Sequence, residues 1–243
     1  MRYNINKQFG NEIIPQGGAA LNILNNTTLK TSVSKGYRPP SVRELYLFPP
    51  ANENLVPEEM MNYDIGWIQR WKNQMIKTEL TLFLCHGENS IITTPFSPPP
   101  PPFYNNTGKF RNTGIEFSGS YQPFKNLHLM LNYTYINMEE KMPATPEHNV
   151  FFSGNYTLNK LGLNLQIQEI NNLYGSDGKQ IRVIEKNYTL LGLRIKYQAL
   201  PSVHVFVSGN NLLNEHYAIN YGYPMPGVHF MAGVNFNLKK DFQ

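Results

Sequence analysis

The chain has 243 residues, of which 41% are hydrophobic and 16% are charged, and its formal net charge is +4. The single cysteine, Cys85, excludes an internal disulfide framework and a zinc site built on cysteines. The basic residues form no dense cluster, which argues against nucleic acid as a partner. The first residues lack the pattern of a signal peptide, and no apolar stretch reaches the ~18 residues of a membrane-spanning helix.

Apolar and polar side chains alternate along most of the chain, which predicts β-strands and little helix. In residues 127–135, the leucines and tyrosines share one face. In residues 190–197, the apolar face lies opposite Gly192, Arg194 and Lys196. In chain order, the segments with this period are 27–35, 60–71, 77–86, 111–122, 127–135, 150–158, 161–168, 190–197 and 228–238.

The segment GYRPPSVRELY, residues 36–46, follows the first of these predicted strands. Neither Pro39 nor Pro40 has an N–H group to donate to a β-ladder, so the strand is expected to end there. The charged side chains of Arg38, Arg43 and Glu44 are therefore expected at the rim of the sheet.

The connections between the predicted strands alternate between short and long. Short polar turns are predicted at 25–26, 72–74, 125–126, 159–160 and 201–202, and long segments at 36–58, 88–108, 139–147, 172–186 and 213–226. This alternation places every short turn at one end of the strands and every long loop at the other. Within one long segment, SPPPPPF at 97–103 is expected to form a polyproline II spacer.

Two architectures share strands of period two. A soluble sandwich has loops of mixed length at both ends, whereas an outer-membrane barrel has short periplasmic turns, long external loops and aromatic girdles. Strict alternation of loop length, strands of about ten residues and aromatic residues near strand ends favour the barrel. The many glycine and amide side chains on the polar face indicate a wide, wet lumen. The predicted fold class is therefore all-β, an antiparallel transmembrane β-barrel with about twelve strands in this chain.

Three stretches resemble the TonB-dependent outer-membrane receptor family. SKGYRPPSVRELY followed by NENLVPEEMMNYDIGW resembles the middle of the family's barrel, and NTGIEFSGSYQP resembles its Asn-x-Gly-x-Glu strand. SGNNLLNEHYAINYGYPMPGVHFMAGVNF resembles its C-terminal region. The chain departs from the family at Val228, where arginine usually follows Pro-Gly. It also departs at its end, where Leu238 and Phe242 stand instead of a C-terminal aromatic residue.

The resemblance implies a barrel of about 22 strands with an N-terminal plug and a TonB-contacting segment. Residues 1–243 would then form one incomplete domain, the C-terminal part of that barrel without its plug. The resemblance further implies the outer membrane of a Gram-negative bacterium, contact with lipid, and TonB-energised uptake through the plug. The expected ligand is a ferric siderophore, a similar metal chelate or cobalamin, and no cofactor is implied.

In the resembled family, ligand contacts are aromatic and arginine side chains at the external mouth. The matching candidates here lie in predicted external loops. They are Arg38, Arg43, Glu44, Tyr46, Phe48, Phe103, Tyr104, Tyr217, Tyr221 and Tyr223. Each of them has a second interpretation, as a loop residue that only packs.

The sequence contains no recognisable catalytic pattern, which predicts a protein that is not an enzyme. The six histidines are scattered, and none is spaced from a second histidine or cysteine as a metal ligand. Glu79 and Glu116 share the polar face and are expected to form hydrogen bonds along the wall. Methionines in loops and at strand ends, such as Met60 and Met61, leave copper as an alternative to an iron chelate.

Two classes of function remain open. The first is part of an active nutrient receptor. The second is a passive or nonfunctional barrel remnant, or a self-closed, porin-like or enzymatic barrel of about twelve strands. In the receptor interpretation, unpaired sheet edges are expected at residues 2–8 and 228–238.

Overall fold

The computed structural model describes residues 1–47, 49–71, 74–93, 104–176, 181–183 and 187–236. Phe48, Phe103, the proline run, Leu238 and Phe242 lie outside these residues. Two compact units divide the chain, one of residues 1–68, 80–115 and 136–141 and one of residues 69–79, 116–135 and 142–243. The elements are β1 (Arg2–Asn6), β2 (Gly10–Ile14), β3 (Gln16–Leu24), β4 (Thr27–Arg38), α1 (Val42–Tyr46), β5 (Glu58–Trp71), β6 (Ile76–Thr93), β7 (Tyr104–Phe124), β8 (Leu127–Met138), β9 (Thr145–Leu158), β10 (Leu161–Ser176), β11 (Ile181–Val183), β12 (Tyr188–Leu200), β13 (Val203–Asn210), β14 (Ala218–Asn220), β15 (Tyr223–Pro224) and β16 (His229–Phe236).

The main sheet is an antiparallel meander, in which strands that follow one another in the chain are neighbours. Its order is β3, β4, β5, β6, β7, β8, β9, β10, β12, β13 and β16, and β11 pairs with β10 to one side. Two-residue turns occur at 25–26, 125–126, 159–160 and 201–202, as predicted. The predicted all-β fold, with about a dozen antiparallel strands and low helix content, is confirmed.

The register of the second unit aligns the apolar faces of successive strands. Leu127 of β8 pairs with Tyr156 of β9, which pairs with Leu163 of β10. Leu163 in turn pairs with Ile195 of β12, and Ile195 pairs with Val207 of β13. A one-residue slip would move each apolar set to the polar face, so the alternation in the sequence specifies this register.

The apolar face is exposed rather than packed into a core. Ile195 is 42% exposed, Val207 54% and Phe230 71%. A small cluster of Ile170, Leu173, Tyr188 and neighbours is instead buried near the long connections. A sheet with one open apolar face and one polar face fits a wall between lipid and water rather than a soluble sandwich.

The N-terminal edge of the sheet differs from the predicted one. The prediction placed an unpaired edge at residues 2–8, but β1 pairs with β2 in a separate hairpin. The edge strand is β3, whose only partner among the described residues is β4. Pro15 separates β2 from β3, and its carbonyl accepts a hydrogen bond from Lys35 N at 2.9 Å. At the other end, β16 pairs only with β13 in the part of the chain that the structure describes, which agrees with the predicted edge there.

Candidate functional site

The segment after β4 folds into a short capped helix. Pro39 and Pro40 end the strand, and Ser41 then caps α1. The Ser41 hydroxyl accepts a hydrogen bond from Glu44 N at 3.3 Å, and the Glu44 carboxylate accepts one from Ser41 N at 2.7 Å. This reciprocal pair is a capping box, which satisfies two backbone donors at the start of the helix. Leu45, 3% exposed, is the buried contact of the helix.

Arg38 joins this helix to the next strand. Its Nη1 and Nη2 atoms each donate to one oxygen of Glu44 at 3.1 Å, and its Nε donates to Glu58 at the start of β5. The second oxygen of Glu58 accepts from Ile91 N of β6 at 2.7 Å. The guanidinium therefore ties together the end of β4, α1, β5 and β6, and two carboxylates neutralise its charge.

The pKa of Glu44 reflects two opposed effects. Burial of the carboxyl raises its pKa, but the hydrogen bonds from Arg38 and Ser41 outweigh burial. The net result is a pKa below the ordinary value for glutamate. Glu44 is therefore ionised at neutral pH and keeps the Arg38 contact.

A second ion-pair cluster lies on the same strand. Lys35 Nζ lies 2.7 Å from Glu12 of β2 and 2.7 Å from Glu59 of β5. The Lys35 side chain is 17% exposed, so the pair is partly shielded from solvent. Neither partner was predicted, because Glu12 and Glu59 are distant from Lys35 in the sequence.

The rest of the long segment is fastened to the beginning of β7. Asn52 N donates to Glu44 O at 2.8 Å, and Asn52 Nδ2 donates to Tyr104 O at 2.7 Å. Asn106 accepts from Val56 N at 2.8 Å and donates to Val56 O at 2.9 Å. These hydrogen bonds hold the described part of the segment between β4 and β5 in place.

The five described candidates of the first unit separate into two groups. Arg38 and Glu44 meet directly, and Tyr104 supports their segment through its backbone. Tyr46 is half exposed, and its hydroxyl accepts from Gln8 Nε2 at 2.9 Å. The Arg43 side chain is exposed and makes no hydrogen bond or ion pair with another described residue.

A cavity of about 700 Å³, the size of an ordinary small-molecule site, is lined by residues of β1 to β7 in the first unit. Its lining includes the Arg38–Glu58 and Lys35–Glu59 pairs together with Met60 and Phe110. Carboxylates pair with the two lining cations Lys35 and Arg38, whereas the lining residue Arg2 has no carboxylate partner among the described residues.

The three tyrosine candidates of the second unit do not form one cluster. Tyr217 packs on Tyr188 with ring centroids 4.6 Å apart, beside the buried Ile170 cluster. Tyr221 and Tyr223 flank the tip of the β14–β15 hairpin and are 50% and 75% exposed. Tyr217 therefore has a packing role, whereas Tyr221 and Tyr223 are open to a ligand.

Two asparagines organise the loop before β16. Asn211, 5% exposed, donates to Glu215 O at 2.9 Å and Pro226 O at 3.1 Å, and accepts from Glu215 N at 2.9 Å. Asn214 accepts from Val228 N at 3.0 Å. The asparagines of the SGNNLLN motif therefore hold the loop before β16 in place through hydrogen bonds to its backbone. The resemblance of this motif to a family motif did not specify that role.

No metal-binding group of three or more histidine, cysteine, aspartate or glutamate residues occurs in the described part of the chain. No helix among the described residues is long and apolar enough to span a membrane.

Comparison with known protein families gives a decisive match. The family described as TonB dependent receptor-like, beta-barrel, matches residues 1–212. The chain belongs to this family. No curated protein matches it.

Solved structures share the fold of this TonB-dependent receptor barrel at low sequence identity. The siderophore receptor PirA from Acinetobacter baumannii is 16% identical with a TM-score of 0.76, and covers 95% of this chain and 41% of its own. The copper transporter OprC is 17% identical with a TM-score of 0.74, over 93% and 40%. The ferripyoverdine receptor of the outer membrane of Pseudomonas aeruginosa is 18% identical with a TM-score of 0.74, over 92% and 32%.

The chain thus spans about a third to two fifths of the length of these receptors. It is part of a receptor barrel of the outer membrane of Gram-negative bacteria, and its family is one of transporters rather than enzymes. The two architectures left open by the alternation of side chains are thereby resolved in favour of the barrel.

Proposed function

We propose that residues 1–243 form the C-terminal part of the barrel of a TonB-energised receptor for a ferric siderophore or a similar metal chelate. The match of residues 1–212 to the receptor barrel family carries this proposal. The ligand class is supported by the neighbours named for siderophores, PirA and the ferripyoverdine receptor. Cobalamin, which is also a scarce nutrient, is an alternative ligand within this proposal.

In this proposal the apolar face meets outer-membrane lipid and the polar face lines the lumen. The long segments then lie outside the cell, and a plug from another part of the protein communicates with TonB. The external ligand contacts are the exposed candidates Arg43, Tyr46, Tyr221 and Tyr223, together with Tyr104 and with Phe48 and Phe103, which lie outside the described residues. Arg38, Glu44 and Tyr217 act mainly by holding these loops in place.

The copper alternative has one supporting neighbour, OprC. The geometry gives it less support, because Met60 and Met61 are consecutive strand residues and so face opposite sides of the sheet. A self-closed barrel is also less well supported, because β3 and β16 each have one strand partner among the described residues.

Growth and uptake under metal limitation test the proposal. The gene that encodes the chain is deleted and restored, and uptake of radiolabelled ferric siderophores, cobalamin and copper is measured. We expect uptake of one ferric chelate to be lost when the gene is deleted and to recover when the gene is restored. Unchanged uptake of every ferric chelate would refute the siderophore function, and loss of copper or cobalamin uptake alone would reassign the ligand. Unchanged growth and uptake for all ligands would favour a nonfunctional remnant.

A further inference from the structure

Arg194 lies in the middle of β12 on the polar face of the sheet. Its register partners are Asn164 of β10 and Ser208 of β13. The guanidinium carbon lies 3.9 Å from the centroid of the Phe206 ring, a cation–π contact that orients it. Among the described residues, no side chain or carbonyl accepts a hydrogen bond from this guanidinium. Its donors are therefore oriented but unused.

A cavity of about 220 Å³ lies beside Arg194. Its walls include the amides of Asn164 and Asn210 and the hydroxyl of Ser208. Gly192 also lines the cavity, and a Cβ there would meet its nearest neighbours, such as the Oδ1 atom of Asn210, only at 3.8 Å, so a side chain can be added at this position without a clash at its Cβ. A guanidinium fork surrounded by amide and hydroxyl groups matches a planar anion with two acceptor oxygens.

The sheet itself supplies no counter-charge at this place. The described polar-face positions of β8, β10, β12, β13 and β16 contain no aspartate or glutamate, whereas Lys196 adds a second cation. On β9 the polar-face acid is Glu147, near the opposite end of the strand from the partner of Asn164. Its carboxylate already accepts from Asn172 at 2.9 Å and from Tyr174 at 2.5 Å. The surroundings of Arg194 are thus cationic without a local acid.

The position of Arg194 along β12 makes a guanidinium without a partner energetically unfavourable. Its neighbours Leu193 and Ile195 are on the apolar face, 37% and 42% exposed. If that face meets lipid, as proposed above, Arg194 lies at membrane depth. Charged side chains at that depth face an interior or an aqueous cavity and normally have a partner.

We infer that Arg194 and the cavity beside it bind a carboxylate group. The inference rests on the proposed function, because it takes the polar face as the lining of the receptor lumen. The carboxylate accepts two parallel hydrogen bonds from the guanidinium, and the Asn164 and Ser208 side chains contact it from the cavity walls. Its source is either an aspartate or glutamate of the protein segment that fills the lumen or a carboxylate solute that passes through it.

Chemical modification of arginine in the intact receptor, purified from outer membranes in detergent, tests the inference. The reagent is p-hydroxyphenylglyoxal, and mass spectrometry measures the rate for each arginine, before and after addition of glutarate or its neutral analogue glutaramide. The same molecule contains both standards, since Arg38 is paired with two carboxylates and Arg43 is exposed and unpaired.

If the carboxylate belongs to the protein segment that fills the lumen, Arg194 should react about tenfold more slowly than Arg43 without any additive. This is the ratio expected of a charge-assisted hydrogen bond. A solute site predicts that Arg194 reacts like Arg43, and that glutarate but not glutaramide slows it in a saturable manner. Reaction like Arg43 with and without glutarate would overturn the inference.

Three variants separate pairing from simple burial. If the lumen segment supplies a carboxylate, Arg194→Gln lowers the unfolding midpoint, because the partner acid is left unpaired. Lys196→Gln, on the same strand and face but outside the cavity, leaves the midpoint unchanged. Slow modification of Arg194 with an unchanged or raised midpoint in Arg194→Gln would show burial without a carboxylate and overturn the inference. Gly192→Leu fills the cavity and, for a solute site, removes the protection by glutarate.

These readouts do not require uptake. A receptor that fails the uptake assay but shows carboxylate protection of Arg194 would refute the proposed ligand and retain the site. Normal uptake without protection would refute the site alone.

Discussion

Arg38 is the side chain on which the interpretation of the rim depends. Three of its nitrogen atoms donate to Glu44 and Glu58, so the guanidinium has little capacity for a ligand. Arg43, five residues along the chain and exposed, has its full set of donors available. The same charged peptide thus separates into an anchor and a ligand-accessible residue, which the sequence pattern alone did not distinguish.

Arg38→Gln should release α1 and the segment that follows it. The Arg38 side chain is 49% exposed, so its pairs contribute at most about 1 kcal/mol, or roughly a fivefold change in local opening. We expect faster hydrogen–deuterium exchange of the amides of Leu45 and Leu47, which bond to Ser41 O and Arg43 O. Arg43→Gln is the matched control and should leave these rates unchanged. Equal exchange in the two variants would contradict the anchoring role.

Glu44 makes the same element sensitive to acid. Its pKa in the folded loop is below the ordinary value of 4.5, so the unfolded loop binds a proton first as the pH falls. The stabilisation is therefore complete above pH 4.5 and is lost as the pH falls through the lowered pKa. Amide exchange in α1, corrected for its intrinsic pH dependence, should increase in that acidic window and stay constant from pH 5 to 8. Glu44→Gln should abolish this transition, and an unchanged acid transition in that variant would assign it to another group.

The strands could be predicted where they face two different environments. Residues 161–168 alternate, and β10 begins at Leu161 as expected, but it continues to Ser176. Beyond Gln168 the sequence EINNLYGS does not alternate, because in this part apolar residues such as Ile170 and Leu173 are buried among loop residues. The short elements α1, β14 and β15 depend on a cap, a turn and distant contacts, so an alternating pattern of side chains does not predict them.

The loop before β16 should depend on Asn211 for both its hydrogen bonds and its backbone conformation. Asn211 has a φ of 49°, a left-handed conformation that glycine and asparagine tolerate best. Asn211→Gly keeps this conformation but leaves the Glu215 and Pro226 backbone groups unpaired, at a cost of about 1–3 kcal/mol. Asn211→Ala adds the strain of the backbone to that loss.

We therefore expect increasing proteolysis of the loop at 212–228 in the order wild type, Asn211→Gly and Asn211→Ala. Asn214→Gly, which removes only the bond to Val228 N, should have a smaller effect. If Asn211→Gly matches the wild type, the hydrogen bonds of Asn211 do not hold the loop.

At the scale of the whole chain, the alternation of side chains and of loop lengths is sufficient to predict the fold class. It does not predict the contacts of the rim. The Arg38–Glu58 pair joins residues twenty positions apart, and the Asn52–Tyr104 bond joins residues 52 positions apart. Such pairs depend on register and loop path, which one sequence does not encode in a local pattern. For the same reason the predicted edge at residues 2–8 is wrong: among the described residues β1 and β2 pair only with each other, and β3 is the edge strand.

The edges of the sheet lead to a prediction about the chain when it is produced alone. Every residue of β3 is exposed, and neither β3 nor β16 has a second strand partner among the described residues. Unpaired backbone N–H and C=O groups cost several kcal/mol each in a bilayer. We expect residues 1–243, refolded in detergent, to elute as aggregates in size-exclusion chromatography and to lack the heat-dependent gel mobility of a closed barrel. Co-refolding with the remaining barrel segment of the same protein should give a monodisperse complex, because that segment supplies the missing partners of β3 and β16. A monodisperse, heat-stable monomer of residues 1–243 alone would contradict the incomplete wall and show that β3 and β16 pair with each other.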